Sequence, residues 1–213
     1  MDNRYYATAR HDVLAHIPGV PRRVLEIGCG TGATMAALKA RGTIEQAVGV
    51  ELDPVSAAVA QAQFDRLFVS AVEDAPFETA IEPSSLDLVL CLDVLEHLVD
   101  PWTVVRRVSP LLRPGGRLII SLPNIRNWKF IARLFFLGDF RYRDSGVLDR
   151  THLRFFVRDT AMALAASGGL EVVDCVDARA YRPYEIRAVL NALTFGLTRE
   201  WIAKQWIVIA EQR

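Results

Sequence analysis

The sequence predicts an α/β fold, a mostly parallel sheet with helices on both faces. Three observations predict it. Apolar runs of strand length alternate with helical patterns along the chain, as crossover connections between parallel strands require. The first run, Val24-Leu25-Glu26-Ile27, passes directly into Gly28-Cys29-Gly30-Thr31-Gly32, a glycine-rich turn that opens a helix. Without Cβ atoms these glycines let a ligand lie against bare backbone. The length, 213 residues, suits one α/β domain with a sizeable core and is too short for two.

Strands are expected near residues 22–27, 46–51, 66–70, 85–92, 116–122, 170–177 and 205–211. Helices are expected near 4–16, 31–41, 54–64, 101–111 and 158–167. Pro54 after Asp53, and Pro101 after Asp100, each suit a first helical turn, where the missing N–H costs nothing. Lys+Arg and Asp+Glu both count 25, so no basic excess points to nucleic acid. Cys29, Cys91 and Cys175 are widely spaced and odd in number, which suits buried thiols in a reducing compartment. No leader-like N-terminus and no run of membrane-spanning length is present, so a cytoplasmic protein is expected.

The glycine turn fits two ligands. Gly28, Gly30 and Ala33 satisfy the dinucleotide pattern G-x-G-x-x-G/A, which would make the protein a nicotinamide-dependent oxidoreductase. Glu26 argues for the other: a carboxylate two residues before the first glycine repels a pyrophosphate and attracts a ligand carrying an ammonium and a sulfonium.

From Val24 to Gly32 the chain resembles the first motif of the class I S-adenosylmethionine-dependent methyltransferases, (V/L)-L-(D/E)-x-G-x-G-x-G. Val48-Gly49-Val50-Glu51-Leu52-Asp53 is similar to the end of that family's second strand. The run from Leu86 to Leu98 is similar to its fourth strand and the turn after it, and Leu111 to Ser121 resembles its fifth strand and preceding turn. The four motifs stand in order over residues 22–123.

The resemblance implies a Rossmann-like sheet of seven strands with the last antiparallel, and S-adenosyl-L-methionine as cofactor. Glu51 would hold both ribose hydroxyls, Leu52 would cover the adenine, and Glu26, Gly28, Cys29, Gly30, Thr31, Gly32 and Leu92 would line the site. A lid helix within residues 1–20 would bring Tyr5, Tyr6 and Arg10 over the cofactor, with Tyr6 in contact. One departure stands out. Where the family has an acid after the third strand, this chain has Ser70-Ala71-Val72-Glu73, which leaves the adenine to Val72 and Glu73.

Two regions exceed the minimal fold of this single domain, 1–213. Residues 124–157, after the fifth strand, carry Trp128, Phe130, Phe135, Phe136, Phe140, Tyr142, Phe155 and Phe156, and their cations outnumber their acids. At the carboxyl end of the sheet, this segment reads as a substrate-facing cap. Its arginines suit an anionic or saccharide-linked small-molecule acceptor, with Asn124, Arg150 and Arg154 as candidate contacts. The stretch Trp128–Leu137 equally suits a peripheral membrane contact, and solvated arginines over a satellite core would explain the same composition. The cap's Gly146–Phe156 run resembles a stretch of a bacterial methyltransferase subgroup linked to cell-surface polysaccharides. Residues 181–203 suit a homodimer contact or an extension of the cap.

Methyl transfer to an oxygen or nitrogen of a small-molecule or saccharide-like acceptor relies largely on alignment, but a hydroxyl acceptor benefits from a base. His152 and His97 are the candidates. His152, near Asp149, Arg150 and Arg154, suits a base or a loop brace equally. Asp93, Glu96 and His97 match D/E-x-x-E-H, a pattern of ubiquinone-biosynthesis-type O-methyltransferases in which such residues can bind a divalent metal. On one helix face they would also serve as a cap with a structural histidine, and no metal is expected. A scaffold that binds cofactor without turnover is the non-enzymatic alternative.

Overall fold

The computed structural model describes residues 8–178, 193–194 and 198–213. Seven strands form one sheet: β1 (Arg23–Ile27), β2 (Gln46–Glu51), β3 (Arg66–Val69), β4 (Leu86–Leu92), β5 (Leu112–Pro123), β6 (Glu171–Asp177) and β7 (Gln205–Glu211). Their order across the sheet is β3-β2-β1-β4-β5-β7-β6. β1 to β5 pair in parallel, whereas β7 runs antiparallel to both its neighbours, β5 and β6. The expected strands and the antiparallel last strand are therefore present.

Alternation along the strands builds a core on each face, because successive side chains point to opposite sides. In β4, Val89 and Cys91 enter one cluster with Trp206 and Val208, while Leu88 and Leu90 enter the other with Val24 and Ile119. Both faces are covered, as a mainly parallel sheet requires. The order of strands reverses between β1 and β4, and a ligand crevice is expected where the carboxyl ends of two such strands diverge.

The helices are α1 (His11–Leu14), α2 (Ala33–Lys39), α3 (Pro54–Ala60), α4 (Pro101–Val108), α5 (Trp128–Leu137), α6 (Arg158–Ala166) and α7 (Arg199–Ile202). Asp53 caps α3 by accepting from Ser56 N–H at 2.9 Å, and Asp100 caps α4 by accepting from Thr103 N–H at 3.1 Å. The prolines behind them occupy the first turns as expected. Two helices differ from expectation. The N-terminal helix, expected over 4–16, is confined among the described residues to His11–Leu14, because Arg10 takes a non-helical conformation. α5 is a full helix inside the cap, where no helix was expected.

Tyr5 and Tyr6 of the expected lid lie outside the described residues, as does most of the 181–203 segment, of which α7 is the main described part. Among the described residues no helix is long and apolar enough to cross a membrane.

Candidate active site

The glycine turn is pinned between β2 and β4. Gly28 N–H and Cys29 N–H donate to the Val50 carbonyl at 2.8 and 3.1 Å. Gly28 adopts φ +67°, and a Cβ there would lie 2.9 Å from a Val94 methyl, so this position requires glycine. The turn also orients the acid of β2. Glu51 Oε2 accepts from Gly30 N–H at 2.7 Å and Oε1 from Asp53 N–H at 2.9 Å. Its carboxylate is thereby held beside the turn, and Leu52 projects into solvent next to it.

Glu26 lies below the turn, 3% exposed, and its Oε2 has no hydrogen-bond partner. Burial, reinforced by the charge of Glu51, pushes its carboxyl up to about 8. An orphaned buried acid beside an oriented carboxylate and an exposed leucine fits a cofactor with an ammonium, a ribose diol and a flat base. These residues therefore fit S-adenosylmethionine.

The remaining expected cofactor residues fall around this centre. Cys29 is buried, and burial raises its thiol far above the usual range, so it offers backbone and bulk but no nucleophile. Thr31 leads to Gly32, which caps α2 in the left-handed region, and Leu92 ends β4 in the same core cluster as Cys29. At the adenine end, Val72 is buried and Glu73 exposed. Their carbonyls accept from Arg107 Nη1 at 2.7 and 3.1 Å, which ties this segment to α4.

Beyond β4 the structure corrects the expected helix face. Leu95–His97 is a single 3-10 turn, and Asp93 has φ +56°. That left-handed residue turns the chain, so Asp93 does not share a helix face with its two motif partners. Its carboxylate bonds to Arg10 and to the Gln205 amide, both of which also reach Ser121 Oγ, at 3.0 and 2.7 Å. This knot joins the N-terminal segment to β4, β5 and β7. Sequence reasoning placed Arg10 in a lid and gave no sign of Gln205.

Glu96 and His97 meet the cap instead. The Glu96 carbonyl accepts from Leu153 N–H and Arg154 N–H at 2.8 and 3.0 Å. Its side chain is buried with Oε2 unpartnered, and burial followed by the charge of Asp93 raises its pKa well above the carboxylate range. His152 Nε2 stands 4.0 Å from Glu96 Oε1, and the His97 and His152 rings meet edge to face at 4.7 Å. The fold thus brings the two candidate histidines together from different segments.

Their hydrogen bonds assign the tautomers. His152 Nδ1 lies 3.1 Å from the Val147 carbonyl, which can only accept, so Nδ1 carries the proton. Thr151 Oγ1 donates to Asp149 Oδ1 at 2.7 Å and must therefore accept from His97 Nδ1, 3.0 Å away. Nε2 of His97 is left with its lone pair. Burial, then the neighbouring His152, holds His97 below the usual histidine range, so it is neutral at pH 7. Asp149 and Thr151 were missed as functional residues, although both flank His152 in sequence.

One donor atom each from Glu96, His97 and His152 lies within 4.8 Å of the others, close enough to share a divalent cation. Asp93, the third residue of the motif pattern, is committed to Arg10 and Gln205.

The expected acceptor contacts are placed differently. Asn124 is fully buried and its amide donates to the Glu200 and Ala203 carbonyls at 2.8 and 2.9 Å, while Oδ1 accepts from Arg126 N–H. With every polar atom bonded to backbone, it joins β5 to α7 and offers nothing to an acceptor. Arg154 bonds the Val99 carbonyl at 3.0 Å and lies over Trp102, which fastens the cap to the β4–α4 connection. Arg150 is exposed and pairs with Asp144 at 2.6 Å.

A seven-stranded sheet of this order, with a glycine turn, a ribose-type acid and a buried acid at its switch point, defines an S-adenosylmethionine-dependent methyltransferase. The chain belongs to this class I family: a family described as "Methyltransferase domain" matches residues 2–174. A ubiquinone biosynthesis O-methyltransferase of Xanthomonas euvesicatoria pv. vesicatoria is 31% identical over 189 residues, 81% of this chain and 72% of that protein. The counterpart in Xanthomonas axonopodis pv. citri is 30% identical over 199 residues, 85% of this chain and 76% of that one. A SAM-dependent methyltransferase structure from Archaeoglobus fulgidus shares the fold with a TM-score of 0.67 and 18% identity, covering 95% of this chain and 92% of that one. The protein is a SAM-dependent methyltransferase.

Proposed function

We propose that the protein methylates a hydroxyl oxygen of a small-molecule acceptor, bound between the end of β4 and the cap, with His97 as the base. The observation that carries this is the chain Asp149–Thr151–His97, which fixes the imidazole in the tautomer with a basic Nε2. When bound, S-adenosylmethionine supplies an electrophilic methyl group on a sulfonium. Glu51 and Glu26 hold the cofactor, His97 Nε2 takes the hydroxyl proton, and Thr151 keeps the ring from turning. Burial and the charge of Asp93 push Glu96 toward its protonated form, which lessens negative charge beside the forming oxyanion. Oxygen is also the atom named in the ubiquinone-biosynthesis relatives.

The test is methyl transfer from labelled S-adenosylmethionine to a panel of phenols, sugars, sugar phosphates and, as controls, amines. With the acceptor found, His97→Gln is expected to lower kcat about 10²–10⁴-fold, the usual contribution of a general base. The KM for S-adenosylmethionine stays unchanged. Thr151→Val lowers kcat less, and Thr151→Ser restores it. Activity survives exhaustive chelation. Transfer to amines alone overturns the oxygen reading, and loss of activity on chelation replaces the base with a metal.

A further inference from the structure

We propose that the tip of α5 docks on a bilayer surface bearing anionic headgroups. This rests on surface geometry alone and holds whatever the acceptor proves to be. α5 is a ten-residue helix that buries none of its side chains. Its last turn presents Phe135, Phe136 and Leu137, which are 80%, 77% and 72% exposed. Leaving that much aromatic and aliphatic surface in water is costly, and a contiguous exposed patch of this kind marks a contact site.

The tip is built to stay outward. After Gly138 the chain folds back, Phe140 meets Phe130 edge to face at 5.8 Å, and Tyr142 meets Phe140 at 6.0 Å. These rings brace the base of the tip, while Phe135 and Phe136 contact each other at 5.1 Å beyond it.

Charge selects the occupant. Arg133, Arg141 and Arg143 all turn to the single carboxylate of Asp139, which balances one of the three. Lys129 adds a further exposed cation one turn earlier. An apolar wedge ringed by excess cations matches acyl chains beneath anionic phospholipid headgroups. A second copy of the chain fits less well, since two facing tips would bring like-charged rings together. Ten residues are about half of what a helix needs to cross a bilayer, so the contact is peripheral.

The experiment is vesicle flotation of the full chain with phosphatidylcholine alone and with phosphatidylcholine containing 30 mol% phosphatidylglycerol, a composition of about this anionic fraction being enough to recruit basic surfaces. Wild type is expected to float with the anionic vesicles and to be released by high salt. F135S/F136S is expected to weaken binding about tenfold or more, and R133Q/R141Q to abolish the preference for anionic lipid. Both pairs are exposed, so an unchanged melting temperature shows that the variants fold. Three results overturn the proposal: no flotation, flotation unaltered in F135S/F136S, or a dimer in light scattering that F135S/F136S dissolves while vesicles bind nothing.

Discussion

At the scale of single residues, Glu26 carries the sharpest electrostatic consequence. Its carboxyl titrates at about 8 in the folded chain against an ordinary value of 4.5. Below 4.5 both folded and unfolded chains are protonated, and the site has no effect on stability. Between the two values the unfolded chain releases a proton that the native one retains, so stability falls as pH rises and levels off above about 8. The full effect is on the order of a few kcal/mol. Glu26→Gln is expected to flatten this decline, measured by urea denaturation of the ligand-free protein at pH 5 to 9. The same substitution is expected to weaken S-adenosylhomocysteine about 10–100-fold in calorimetry, the loss of one charge-assisted hydrogen bond. Unchanged affinity would separate Glu26 from the cofactor. Glu26 and Glu51 were readable because each belongs to a short local string. Thr151 and Gln205 were not, because their roles are set by partners 54 and 84 residues away.

At the scale of elements, the cap is tied down by amides. Asn124 and Asn127 donate to the carbonyls of Glu200, Ile202 and Ala203, so the end of β5 and the start of α5 hang from α7. Asn124→Ala removes a donor from two carbonyls, the buried one of Ala203 and the part-buried one of Glu200. A loss of about 2 kcal/mol in urea denaturation is expected, with S-adenosylhomocysteine affinity unaltered. An Asn124→Ala protein of native stability with a raised KM for the acceptor would return this residue to the substrate site. Strand positions were legible because alternation and apolar runs are properties of a few consecutive residues. β5 began earlier than expected since Leu112 pairs with Leu86 ahead of an irregularity that carries the register to Leu88 and Arg117. The stretch Trp128–Leu137 stood out in the sequence as an interfacial segment, but not as one of the core helices, because its apolar residues lie close together rather than at the spacing of a helix packed on the sheet. The helix face drawn through Asp93, Glu96 and His97 failed on one backbone angle, the positive φ of Asp93.

At the scale of the molecule, the switch point between β1 and β4 brings together the glycine turn, the ends of β2 and β4, and the cap, and ligand binding there should reach the stability of the whole chain. S-adenosylhomocysteine at 100 times its dissociation constant stabilises a two-state protein by about 2.7 kcal/mol. For a chain of this size that corresponds to a rise in Tm of about 5–10 °C. Differential scanning fluorimetry is expected to show it with S-adenosylhomocysteine and not with NADH; a shift with NADH alone would restore the oxidoreductase reading of the glycine turn. The motif order made the architecture and the identity of the cofactor legible. The cap was harder to read, because its arginines settle on one another's acids and on carbonyls, pairings that composition does not reveal.

The place of β7 between β5 and β6 also governs the order in which the protein can be made. Ser121 of β5 leaves the ribosome 84 residues before Gln205, its partner across the sheet. Until β7 arrives, β5 ends the sheet as an open edge, and β6, which among the described strands pairs only with β7, has nothing to join. The nascent chain therefore passes through a half-finished sheet with an adhesive margin, and it is closed by the same strand whose first residue completes the knot around Asp93. Assembly of the crevice and removal of an aggregation hazard are one event in biosynthesis.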